Sequence, residues 1–109
     1  MDIAERVAEI VRIPSVNPLH AGPVSGDGAE RELTDWLANH TEALGAQVIV
    51  DHVEDNRSNV YARFEGSSDR AVTIDVHLDT VGVEHMTDDP FDGRIEDGRV
   101  YGRGSVDTK

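Results

Sequence analysis

Ala71-Val72-Thr73-Ile74-Asp75-Val76-His77-Leu78-Asp79-Thr80 carries the strongest fold signal in the chain. Its first eight residues are rich in β-branched and apolar types and are bounded by turn formers, which predicts a strand over 71–78. Residues i and i+2 of a strand share a face, so His77 and Asp79 can address one site. Open α/β sheets bind ligands beyond the carboxyl ends of their strands, and Asp79 lies at such an end.

On the N-terminal side, Gln47-Val48-Ile49-Val50 and Asn59-Val60-Tyr61-Ala62-Arg63-Phe64 read as two further strands. Ile95-Glu96-Asp97-Gly98-Arg99-Val100-Tyr101 reads as a tight hairpin, because Asp-Gly suits a type I′ turn. Ile3, Val7, Ile10 and Val11 recur at helical spacing up to Pro14. A second helix is expected from about Asp27 to Leu44, capped by Asp27 with Glu30 three residues on. Leu33, Trp36, Leu37 and Leu44 form its apolar stripe, and Gly45 is its C-terminal cap. Between the helices, 13–18 should be extended because each proline disfavours helix in the residue before it. Residues 20–28 should form a loop. Two helices followed by several strands imply an α/β fold with a helix-covered mixed sheet.

Composition narrows the function. Of 109 residues, 38% are hydrophobic and 29% charged, the balance of a globular chain. The net charge of -12 repels phosphate backbones, so nucleic-acid partners are excluded. No apolar run approaches the roughly 20 residues needed to cross a bilayer, so no membrane partner is expected. The charged start, Met1-Asp2-Ile3-Ala4-Glu5-Arg6, resembles no secretory signal, and a cytoplasmic location is expected. Without cysteine, any metal must be held by nitrogen and oxygen donors.

Two clusters carry chemistry. His77 with Asp79 could be a metal ligand with its orienting carboxylate, or a satisfied histidine beside a turn cap. Downstream, Gly102 and Gly104 permit unusual backbone angles and lead to Asp107. A carboxylate has two oxygens and can bridge two cations roughly 3.5–4 Å apart. Asp107 before Thr108 and Lys109 would equally start a helix as an N-cap. His20, His40, His52 and His85 have no ligand spacing among themselves and are read as loop or surface histidines, and His85 with Asp88 and Asp89 as a solvated turn. Ser105 follows no nucleophile-elbow pattern, which argues against a serine hydrolase.

Taken together, His77-Leu78-Asp79-Thr80-Val81, Pro90-Phe91, Gly93, Tyr101-Gly102-Arg103-Gly104 and Asp107-Thr108-Lys109 resemble the M20 family of metallopeptidases and aminoacylases. Pro14-Ser15-Val16-Asn17-Pro18 and Arg57-Ser58-Asn59-Val60 resemble its N-terminal region. The resemblance implies that 1–109 are the N-terminal portion of a zinc-peptidase-like catalytic domain, incomplete here. The inserted dimerisation domain, the Glu-Glu pair and the remaining ligands of the family would lie beyond Lys109. His77 would bind one zinc ion, Asp107 would bridge two, and Asp79 would orient His77; cobalt or manganese are alternative ions. The implied reaction is hydrolysis of an amide in a small N-acyl amino acid or peptide, with an acetylornithine-deacetylase-like member favoured and a homodimeric full-length form. The chain alone should then bind metal weakly and lack catalysis. The alternative is a truncated, non-catalytic, small acidic binding module.

Overall fold

The computed structural model describes residues 2–20 and 28–109. The expected loop at 20–28 and the expected cap Asp27 fall largely outside them. The first helix, α1 (Ile3–Val11), begins on a capping box. Asp2 Oδ1 accepts from the Glu5 N–H at 2.8 Å, and Glu5 Oε2 accepts from the Asp2 N–H at 3.1 Å. Its inner face buries Ala8 and Val11.

The second helix, α2 (Arg31–Ala43), starts about one turn later than the sequence predicts. Its N-cap position is Glu30, whose side chain makes no capping bond. That carboxylate is instead buried against the Arg57 guanidinium at 3.1 Å. At the other end Gly45 takes φ +98°, with the Gly45 and Ala46 N–H groups donating to Glu42 O and Thr41 O. The last carbonyls of the helix are thereby satisfied in a Schellman turn. Leu33 joins the core, whereas Leu44, expected in the apolar stripe, is exposed.

Strands β1 (Gln47–Glu54) and β2 (Arg57–Arg63) pair antiparallel from Gln47↔Arg63 to Asp51↔Asn59, and α2 packs on them. Strands β3 (Arg94–Glu96) and β4 (Arg99–Tyr101) form the predicted hairpin. Asp97 and Gly98 take φ +49° and +73°, the two positive values that a type I′ turn requires. Helix α1 packs on this hairpin. Arg12 fixes it by donating to Asp92 O at 3.0 Å and Gly93 O at 2.9 Å.

The sheet differs from expectation. Among the described residues there are two separate two-stranded antiparallel sheets and no mixed sheet. The expected strand over 71–78 has no ladder. The single parallel pairing nearby is an isolated bridge between Val16 and Thr80. A run apolar on both faces needs cover on both faces. The described residues supply none: Val72 is 90% and Ile74 87% exposed. What holds this segment is its carboxyl end, pinned to the 15–17 stretch as the sequence's extended reading of those residues requires. Thr80 N–H donates to Ser15 O, and Asn17 N–H donates to Thr80 O, each at 2.8 Å.

The hydrophobic core is correspondingly small, built from Ala8, Val11, Val16, Ala29, Leu33 and Ala46. Val53, Tyr61, Phe64, Val72 and Ile74 meanwhile face solvent. This chain in isolation is therefore expected to bind a hydrophobic dye and to unfold over a broad temperature range. A sharp calorimetric transition without dye binding would contradict that.

Candidate metal centre

Two arms meet at one point. The first is the end of the apolar run, Leu78 to Thr80, seated on the 13–17 segment. The second is the turn from Gly102 to Asp107, which leaves β4. Gly102 has φ +145°, and a Cβ there would collide with the buried Val11 side chain and with Pro90 O at 2.9 Å. Glycine is thus required for the turn to pass so close to α1. Asp107 lies in this turn.

The two arms bring His77, Asp79 and Asp107 together. His77 Nδ1 lies 2.9 Å from Asp79 O and 3.3 Å from Asp79 Oδ1. Its Nε2 lies 3.0 Å from Asp107 Oδ1. Asn17 Nδ2–H donates to Asp79 Oδ2 at 2.8 Å. Nearby, a cleft of about 580 Å³ has Glu30, Arg57, His77 and Asp79 among its walls.

Both ring nitrogens of His77 face acceptors, and neither a carbonyl nor a carboxylate can return a proton. The ring is best satisfied when doubly protonated. Its pKa is accordingly raised above the ordinary 6.5, first by the Asp79 carbonyl and then by Asp107. Because the folded value is the higher one, this interaction stabilises the fold fully below the unfolded pKa. The stabilisation is lost as pH rises through the folded value. The His77 side chain is half exposed, so the effect on stability is small. Asp107→Asn should lower the His77 pKa in an NMR titration of the metal-free chain. A higher or unchanged value would contradict the contact.

The donor set fits a cation at one place. With Nδ1–H given to Asp79, the second proton on Nε2 sits where an ion would sit, between an imidazole nitrogen and a carboxylate oxygen. Imidazole and carboxylate are the donors that zinc accepts in a cysteine-free site. Asp79 faces the other ring nitrogen, Nδ1. Among the described residues no group of three or more His, Asp or Glu side chains is arranged to hold a metal ion.

The other histidines are placed elsewhere. His40 stacks on Trp36 with ring centroids 4.6 Å apart, and His52 Nδ1 lies 3.5 Å from Ser58 Oγ. His85 is exposed in a turn, and in the same region Asp89 Oδ1 accepts from the Phe91 N–H. Ser15, Asn17 and Lys109 enter the sequence reading only within stretches that carry the family resemblance and are given no role there. Lys109 Nζ donates to Ile13 O at 2.8 Å and Ser15 Oγ at 2.7 Å. Burial pushes its pKa down to about 8. The only signal for the first two was that Ser15 and Asn17 alternate on one face of an extended stretch framed by prolines.

Comparison with known proteins supports the metallohydrolase character. The chain is 29% identical to an uncharacterised metallohydrolase of Methanocaldococcus jannaschii, over 99% of this chain and 30% of that protein. It is 36% identical to the succinyl-diaminopimelate desuccinylase of Magnetococcus marinus, over 92% of this chain and 24% of the relative. The enzyme of the same name from Methylocella silvestris is 34% identical, over 96% of this chain and 26% of the relative. The chain thus spans about a quarter of the length of these curated relatives. No family model matches it, and no solved structure matches it. The leaning towards acetylornithine deacetylase gains no support, since these relatives are named for the desuccinylase. No helix of the described residues is long and apolar enough to cross a membrane. Over nearly all of its own length the chain is thus similar to roughly a quarter of proteins named as a metallohydrolase and as succinyl-diaminopimelate desuccinylases.

Proposed function

We propose that this chain carries part of the metal site in the catalytic domain of a zinc-dependent amide hydrolase. Its substrate class is an N-acylated amino acid, with an N-succinyl group favoured by the names of the relatives. His77 is a ligand through Nε2, Asp107 is the carboxylate shared between ions, and Asp79 orients the imidazole. The single observation that carries this reading is the His77 ring held between the Asp79 main-chain carbonyl at 2.9 Å, with the Asp79 carboxylate at 3.3 Å, and the Asp107 carboxylate at 3.0 Å.

Each residue has a task that follows from its atoms. Asp79 takes the Nδ1–H, which fixes the tautomer and leaves Nε2 as the donor nitrogen. Asp107, 88% exposed at its side chain, offers a second oxygen beyond the one facing His77. Arg57, on the cleft wall, is paired with Glu30 and Glu54, which offset its charge. When bound, the ions would polarise the scissile carbonyl and acidify water. Two donors alone make a weak site, so the chain by itself is expected to bind zinc loosely and to hydrolyse nothing.

Zinc added to the chain should displace the His77 Nε2 proton. In an NMR titration the largest shifts then fall on 77, 79 and 107, and affinity drops as the pH is lowered through the His77 pKa. Shifts centred on His40, His52 or His85 instead would overturn the assignment.

A further inference from the structure

The two arms of the site do not touch each other through the main chain. They are joined by a third element, residues 13–17, which donates no ligand. Its side chains bind both arms. Ser15 is fully buried, and its hydroxyl donates to Leu78 O at 2.8 Å while accepting from Lys109 Nζ at 2.7 Å. A single hydroxyl therefore spans the arm bearing His77 and the arm bearing Asp107. Two residues on, the Asn17 amide donates to Asp79 Oδ2 at 2.8 Å. That bond turns the other oxygen, Oδ1, towards His77 Nδ1. Asn17 Oδ1 is itself held by the Leu19 N–H at 2.9 Å, so the amide is fixed at both ends.

We propose that Ser15 and Asn17 are positioning residues for the metal centre: Ser15 sets the separation of His77 from Asp107, and Asn17 sets the direction of the Asp79 carboxylate. This rests on the metal-site reading above. Neither residue touches the ion. Both act through others, as outer partners of metal ligands do, where loss commonly lowers affinity by about 10–100-fold. The chemistry explains the residue types. Ser15 must donate and accept at once, which a hydroxyl does and a methyl cannot. Asn17 must donate to a carboxylate without bringing a second negative charge beside it. An aspartate in its place would retain the acceptor for the Leu19 N–H yet replace the donor with a repelling oxygen.

The test uses zinc alone as the probe, with Ser15→Ala, Ser15→Thr, Asn17→Asp and His77→Ala. Two quantities are read: zinc affinity by calorimetry, and the nuclear Overhauser contact between the His77 ring and Asp107 Hβ in the metal-free chain. Ser15→Ala and Asn17→Asp should each lower zinc affinity about tenfold. Ser15→Ala should also erase the ring contact, while Ser15→Thr, which keeps the hydroxyl, restores it. The amide signals of the 94–101 hairpin report the fold, and if Ser15→Ala loses them, Asn17→Asp decides the matter alone. Wild-type affinity in Asn17→Asp and an intact contact in Ser15→Ala would overturn the proposal even if His77→Ala abolishes binding. If His77→Ala leaves binding unchanged, the metal reading fails on its own, and the ring contact still decides whether Ser15 sets the spacing.

Discussion

His77→Ala and Asp107→Ala are each expected to remove most of the zinc affinity of the chain. With two donors facing the ion, loss of either leaves a single monodentate contact with a strongly hydrated cation. Asp79→Ala should do less, about tenfold at most, because it removes only the Oδ1 contact at 3.3 Å and leaves the nearer main-chain Asp79 O, at 2.9 Å, to hold Nδ1–H. The ranking matters more than any one value. If Asp79→Ala cost more than His77→Ala, the roles of the two residues would be reversed. Equal binding in all three would place the ion elsewhere. Calorimetric titration at fixed pH reads this directly, and the pH must be held constant because protons compete at Nε2.

Gly102→Ala should be strongly destabilising. The backbone there sits at φ +145°, a region that an alanine adopts only under strain. The new methyl would also meet Val11, which is fully buried, and the Pro90 carbonyl. Pro90 O accepts from the Arg103 N–H at 2.6 Å, so moving it away breaks a contact of the same turn. Strain and overpacking together suggest a loss of about 2–4 kcal/mol. Gly98→Ala is a useful comparison, since nothing lies within 4 Å of a Cβ there. It should cost about 1 kcal/mol through φ alone. Similar denaturant midpoints for the two variants would show that the approach to Val11 is not tight.

These two results bear on different levels of the same design. Helix α1 supports the hairpin, the hairpin launches the glycine turn, and the turn delivers Asp107. The route to His77 runs through the 15–17 bracket, which Ser15 ties to the Asp107 arm through Lys109. A defect at Gly102 should therefore weaken zinc binding chiefly by loosening the Asp107 arm.

How much of this was legible in the sequence depended on whether the signal was local. The 94–101 hairpin could be read because Asp97-Gly98 solves a backbone problem within two residues. Gly45 could be read for the same reason. The start of α2 could not, because Glu30 was drawn into an ion pair with Arg57, 27 positions away. The 71–78 run has every strand preference, yet a strand exists only through its partner, and β1 and β2 satisfy one another. Composition gave no warning of that. His77, Asp79 and Asp107 stood out because their residue types are chemically expressive. Ser15 and Asn17 did not, because a serine and an asparagine between prolines describe any polar turn. Their hydrogen bonds to Leu78 and Asp79 span more than 60 positions and appear only in three dimensions.

The most direct measurement is an anomalous-difference map at the zinc edge from crystals of the chain equilibrated with zinc. The strongest peak is expected between His77 Nε2 and an Asp107 carboxylate oxygen, with Nδ1–H still turned to Asp79. A peak at another histidine, with none between His77 and Asp107, would contradict the assignment of the metal centre.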